Sequence, residues 1–157
     1  MSDNIRIWVE ISHQPAFRAG GWAFVRAEGR ALTGAAGGER TSAEATAVEG
    51  LLAALADLPS KASVEISSSA KAVAGAARWL AQIEAGGEAS AADLALGAQL
   101  SVALKARPIR FLTCVNQPRT PTAFAAAWAE LARDKAKTRP FRAAIPKANL
   151  AKAGVAA

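Results

Sequence analysis

Residues 5–37 hold three β-type segments back to back, and this crowding of strands at the front of the chain limits the folds open to it. Ile5–Ile11 alternates apolar with polar residues and is rich in β-branched side chains, the pattern of a half-buried strand. Gly20-Gly21 leads into a second such run, Trp22–Ala27. Glu28-Gly29-Arg30 then makes a tight turn into a third, Ala31–Gly37. Nothing helical separates the three, so they are expected to pair as an antiparallel meander.

Helices and strands alternate after that. Thr41 or Ser42 is a sound N-cap for a helix over 43–58, in which Val48, Leu51, Leu52 and Leu55 form one apolar stripe and Pro59 closes the element. Ser63–Ser67 reads as a strand, and Ala70–Ile83 as a helix with Val73, Ala77 and Leu80 facing inward. Gly86-Gly87-Glu88 is a loop. A helix over Asp93–Lys105 follows, with Leu96, Leu100, Val102 and Leu104 as core contacts. Ile109–Val115 is the next strand and Thr122–Lys137 the last helix. The order β-β-β-α-β-α-α-β-α predicts an α/β fold, a mixed five-stranded sheet covered on both faces.

The chain has 157 residues, the size of one domain or of one domain with an appendage. Its hydrophobic fraction is 52%, but alanine supplies much of it and buries little area. The packing anchors are therefore Trp8, Trp22, Phe24, Trp79, Phe111 and Trp128. No run of 18 apolar residues is present, and Met1-Ser2-Asp3-Asn4 does not begin a secretory signal. The single cysteine, Cys114, makes no internal disulfide, and with one histidine, His13, there is no Cys/His zinc site. Cys114 reads as a small core residue and His13 as a surface loop residue. A soluble, cytoplasmic protein with no membrane partner is expected.

Charge divides the chain. Residues 133–157 carry seven Lys/Arg against Asp134, which is the whole net charge of +6, so residues 1–132 sum to zero. The domain organisation expected from this is a neutral body, 1–137, and a basic Pro/Ala-containing tail, 138–157.

Several segments match a known pattern in order. Glu10 lies ten residues before Gly20-Gly21-Trp22, and Val64-Glu65-Ile66-Ser67-Ser68-Ser69 is followed by Val73 and Trp79. Asp93-Leu94, Leu100, Leu104 and Ile109-Arg110-Phe111 come next, then Ala129-Glu130-Leu131-Ala132. Over about residues 5–135 this resembles type 1 ribonuclease H. The resemblance implies that fold and a site in which four carboxylates hold two divalent metals. In the family an aspartate stands at the position of Glu10, the fourth strand ends in Thr-Asp-Ser, and the terminal helix carries Asp-x-Leu-Ala.

Mapped onto these residues, the implied site has lost acids. Glu10 keeps a carboxylate on an arm one methylene longer. Ala43-Glu44 matches the family's helix Ala-Glu pair if the preceding turn is shortened; otherwise Thr46 or Ala47 takes that position. Ser68 replaces the strand aspartate and Ala129 the last one. Two glutamates make a poor clamp for two hard cations that require oxygen ligands in near-octahedral geometry. Glu10, Glu44, Ser68 and Ala129 are thus expected to be vestigial, with no metal site and no resident cofactor. Magnesium or manganese would enter only if nuclease activity persists.

The sequence-based expectation is a catalytically inactive ribonuclease H-like domain serving as a nucleic-acid-binding scaffold for RNA–DNA hybrid, RNA or DNA. Relatives hold the hybrid mainly through backbone and 2′-hydroxyl contacts, which do not require the acids. Lys135-Ala136-Lys137-Thr138-Arg139-Pro140-Phe141-Arg142 interleaves cations with an aromatic, compatible with phosphate contact and base stacking. Ser68, Arg119, Lys135, Lys137, Arg139 and Arg142 are the candidate contacts. The alternatives are a protein–protein interaction or homo-oligomerisation module with a docking tail, and a residual metal-dependent endonuclease of RNA–DNA hybrids.

Overall fold

A computed structural model describes residues 4–59 and 61–156. The alternating front segments form β1 (Asn4–Gln14), β2 (Ala19–Glu28) and β3 (Ala31–Arg40), a continuous antiparallel meander. Glu28 pairs with Ala31, and Gly29 takes the positive φ of 62° that this two-residue connection requires. Helix α1 (Ala43–Leu55) starts where Ser42 Oγ accepts the Ala45 N–H at 3.1 Å. It stops before the sequence pattern suggested. Asp57 turns to a φ of 57°, and Leu58, preceding Pro59, is sterically disfavoured from helix.

β4 (Ser63–Ser68) lies parallel to β1, and β5 (Ile109–Thr113) lies parallel to β4. Between them the helix expected over 70–83 is two: α2 (Lys71–Ala74) and α3 (Ala76–Glu84). The break is Gly75, whose missing side chain makes it the weakest helix residue of the run. It shifts the buried position from Ala77, which is exposed, to Ala76. α4 (Ala91–Lys105) is capped by Ser90 and buries Leu100, while Val102 is 71% exposed and no core contact. α5 (Pro121–Ala136) is capped by Thr120.

Among the described residues the sheet has six strands, not five. β6 (Phe141–Ala144) pairs antiparallel with β3, giving the order β5-β4-β1-β2-β3-β6, and α6 (Lys147–Leu150) follows. The four residues of β6 are too few to show a period, so sequence alone reads them as part of a tail. Ile145, Leu150 and Ala153 are buried against Val25, with Trp8, Phe124 and Trp128 alongside. Residues 141–153 thereby pack into the folded body.

The two faces differ in texture. On one, Ile7, Val9, Phe24 and Ile66 pack with Val48, Leu51 and Leu100 from α1 and α4 in the main core. On the other, Ala125, Ala129 and Ala132 of α5 meet Ala23 and Ala36. Small side chains let α5 settle close: a Cβ at Gly21 would collide with the backbone of Ala129 and Arg133. The Gly20-Gly21 pair is therefore a packing requirement, since a Cβ at Gly20 would strike Thr46.

Candidate functional site: the Glu10 cleft and its basic rim

Glu10 is 2% exposed near the end of β1, on the α5 side of the sheet. Both of its carboxylate oxygens accept hydrogen bonds. Oε2 accepts the Ser69 N–H at 2.7 Å and the Ser68 hydroxyl at 3.3 Å, and Oε1 accepts the Ser69 hydroxyl at 2.6 Å. Ser68 Oγ in turn accepts the Ala70 N–H at 3.0 Å. Burial pushes the Glu10 pKa up, and the Ser69 and Ser68 hydrogen bonds oppose that shift by favouring the charged form. The arrangement ties β1 to the exit of β4.

A cleft of 320 Å³ opens here, lined by Glu10, Ser12, Ser69, Asn116 and the Ala123, Ala126, Ala127, Glu130 stripe of α5. Ala129, expected at the position of the last acid, is buried against the sheet instead; Glu130 is the α5 acid that faces the cleft. The sequence could not settle this, because both stripes of α5 are alanine-rich. Glu44 is exposed in the first turn of α1, where the helix dipole favours an acid. Thr46 is buried, its hydroxyl donating to Ser42 O at 2.8 Å, and Ala47 is in the main core. None of these three lines the cleft.

The two-metal arrangement implied by the resemblance does not fit this donor set. Both Glu10 oxygens already accept hydrogen bonds, Ser68 is neutral and buried, and no three His, Cys, Asp or Glu converge among the described residues.

The expected basic contacts gather at one end of the sheet. His13 pairs with Gly20, Gly21 with Gly38, and Gly38 with Phe141, so the ends of β1 and β3 and the starts of β2 and β6 coincide. Arg133 bridges to the cleft, its Nη1 donating to Ser12 Oγ at 2.8 Å while its other nitrogens hold Asp134 at 3.1–3.2 Å. Those bonds hold the Asp134 carboxyl below its ordinary range. The Lys137 ammonium is 3.4 Å from Asp134 and 4.7 Å from the Phe17 ring centroid; its carbonyl accepts from Arg40 at 2.7 Å. Lys135 and Arg139 are exposed around the end of α5. Arg142, opposite Gly37, lies 5.4 Å from the Trp22 ring centroid. Arg119 stands apart, exposed in the loop before α5 with a φ of 67°. Ser68 is 4% exposed, its hydroxyl committed on both sides, and so is closed to a ligand as the structure stands.

A second cleft, of 540 Å³, lies on the α1 face and includes Trp22, Glu39, Glu49, Leu96, Gln99 and Arg142 in its lining. Burial first, then the hydrogen bond and negative charge of Glu39, push the Glu49 carboxyl up to about 8. The two acids thus face one another across the α1–β3 junction, and the neighbouring charge disfavours ionisation of Glu49. Pairs of this kind, joining residues of separate elements, leave no trace in sequence spacing. Cys114, just past β5, is half-buried with its sulfur 3.1 Å from Thr122 Oγ1.

No helix among the described residues is long and apolar enough to cross a membrane. No protein-family model matches the chain, and no curated protein matches it at significant similarity. Solved structures do. LC9-RNase H1, a type 1 RNase H with the type 2 active-site motif, superposes with a TM-score of 0.67 at 11% identity, covering 98% of this chain and 86% of that one. The N-terminal RNase H domain of Rv2228c from Mycobacterium tuberculosis, solved as a maltose-binding-protein fusion, gives 0.61 at 18% identity, covering 87% and 98%. RNase H1 from the halophilic archaeon Halobacterium salinarum gives 0.55 at 17%, covering 84% and 98%. With the mixed sheet and its helices, these likenesses show that the chain has the ribonuclease H-like fold.

Proposed function

We propose that this chain is a ribonuclease H-like domain that binds nucleic acid without hydrolysing it. The observation that carries this reading is the position of the basic side chains. Arg133 and Lys137 are fixed by named contacts at the sheet end where the Glu10 cleft opens, and Arg142 is held at the same end on the α1 face, against Trp22. Cations arranged on a rigid surface lose little freedom on meeting a phosphate backbone, and counterion release then supplies affinity without regard to sequence. The contacts assigned are Lys135, Lys137, Arg139 and Arg142, with Arg119 in the loop before α5. The loss of hydrolysis rests on Glu10, whose oxygens the two serines occupy.

Titration into labelled single-stranded RNA, duplex DNA and RNA–DNA hybrid, at two salt concentrations with Mg²⁺ present, tests both halves. Salt-sensitive binding with intact substrate is the expected result. Cleavage abolished by Glu10→Gln overturns the inactive assignment, and absence of binding at low salt overturns the binding assignment.

A second reading, self-association, is favoured by α4. Ala91, Leu94, Ala95, Ala98 and Val102 are all exposed and recur at helical spacing, an apolar stripe facing away from the core. Sedimentation of the wild type and of Val102→Lys decides it: a concentration-dependent dimer lost in the variant supports this reading, and a monomer in both rejects it.

A further inference from the structure

Phe17 lies outside both the main core and the Glu10 cleft. It sits in the turn between β1 and β2 with half of its surface open, 50% exposed. The turn is well fixed. Phe17 N–H donates to Gln14 O at 3.2 Å, Arg18 N–H to Pro15 O at 3.1 Å, and Thr41 N–H to Arg18 O at 2.7 Å. His13 Nε2 also lies 2.7 Å from Thr41 O. Its surroundings are cationic: the Lys137 ammonium is over the ring, Arg40 is bonded to the Lys137 carbonyl, and Arg18 is exposed next in the chain.

We propose that Phe17 is a stacking platform for an unpaired base of single-stranded nucleic acid, with Lys137, Arg18 and Arg40 holding the flanking phosphates. This rests on the nucleic-acid reading above and narrows it to single strands. A base inside a duplex is already stacked on its neighbours and has no free face for a protruding ring. An unpaired base does, and stacking on an aromatic is tolerant of sequence because every base has a π-face. The ammonium on one side of the ring favours its π-electrons electrostatically and leaves the ring ordered for a base on its open surface. The tryptophans are less suited: Trp22 is 4% exposed, and Trp8 and Trp128 flank the cluster around Val25.

The test uses the full chain with labelled oligothymidylate, oligouridylate and a blunt DNA duplex, comparing wild type, Phe17→Ala and Phe17→Trp. Phe17→Ala is expected to weaken binding to both single strands about tenfold, with the salt slope unchanged and duplex binding unaffected. Phe17→Trp is expected to retain binding, and 2-aminopurine in the strand should be quenched by wild type and not by Phe17→Ala. Loss confined to one of the two strands assigns the site to RNA or to DNA. Wild-type affinity of Phe17→Ala for single strands overturns the platform while leaving nucleic-acid binding intact. An equal loss on duplex with a shallower salt slope overturns it too, since Phe17 would then only position Lys137. If wild type binds none of the three at low salt, the parent reading falls and this inference with it.

Discussion

Replacing Glu49 with glutamine should flatten the pH dependence of stability. The folded state holds the Glu49 carboxyl at about 8 against an ordinary 4.5, so folding favours its protonated form. A raised acid of this kind costs nothing below pH 4.5. The penalty grows as pH climbs from 4.5 to about 8, where it levels off. A shift of this size corresponds to about 5 kcal/mol at 1.36 kcal/mol per unit. Glu49 is only partly buried, and solvent screening reduces the expected penalty to about 2 kcal/mol. Glutamine keeps the shape and a hydrogen bond to Glu39 without a charge to desolvate. For a chain of this length about 2 kcal/mol is roughly 4–8 °C in Tm. Thermal unfolding of both proteins from pH 4.5 to pH 9 should give near-coincident Tm values at the acid end and Glu49→Gln higher by that amount at the alkaline end. Parallel profiles across the range would refute the raised Glu49 carboxyl. Taking the difference between the proteins cancels the titration of groups that do not interact with Glu49.

Three further outcomes follow from packing and charge. Ser69→Ala removes the hydroxyl on Glu10 Oε1 at 2.6 Å and should cost about 1.5–3 kcal/mol in urea unfolding, the range for a bond to a charged group. Ser68→Asp places a second carboxylate beside a buried one; it should lower Tm at pH 7 and much less at pH 4.5, where a proton relieves the repulsion. Gly21→Ala pushes a methyl into the backbone of α5 and should destabilise by about 1–3 kcal/mol, seen as a lower urea midpoint at an unchanged slope.

Much of the architecture was legible in the residues because it rests on periodicity. The alternation of Ile5, Ile7 and Val9, the Ser42 cap and the Val48–Leu55 stripe each name their element. The failures share a cause. Where alanine fills a helix, one face looks like another, so the sequence does not distinguish Ala129 from Glu130 as a cleft residue, and Val102, 71% exposed, reads as core. β6 escaped because four residues bear no period and their partner, β3, is a hundred residues earlier. Ser68 ends β4, one residue past the strand the sequence pattern suggests, and its partnership with Glu10, 58 residues away in sequence, is a tertiary fact. Phe17 and Lys137 likewise meet only because the end of α5 returns to the first turn of the sheet.

The Arg6 guanidinium donates to the Ala156 carbonyl at 2.9 Å, so the two extremities of the described chain meet at one corner. That corner is at the start of β1, on the order of 20 Å along the strand from Ser12 at the cleft. A short linker could join the extremities, and new ends could be opened in the exposed Gly86-Gly87-Glu88 loop without cutting a strand. A circularly permuted form of this kind should keep the fold of the parent. An affinity handle or fluorescent partner attached at either extremity would leave the basic rim unobstructed.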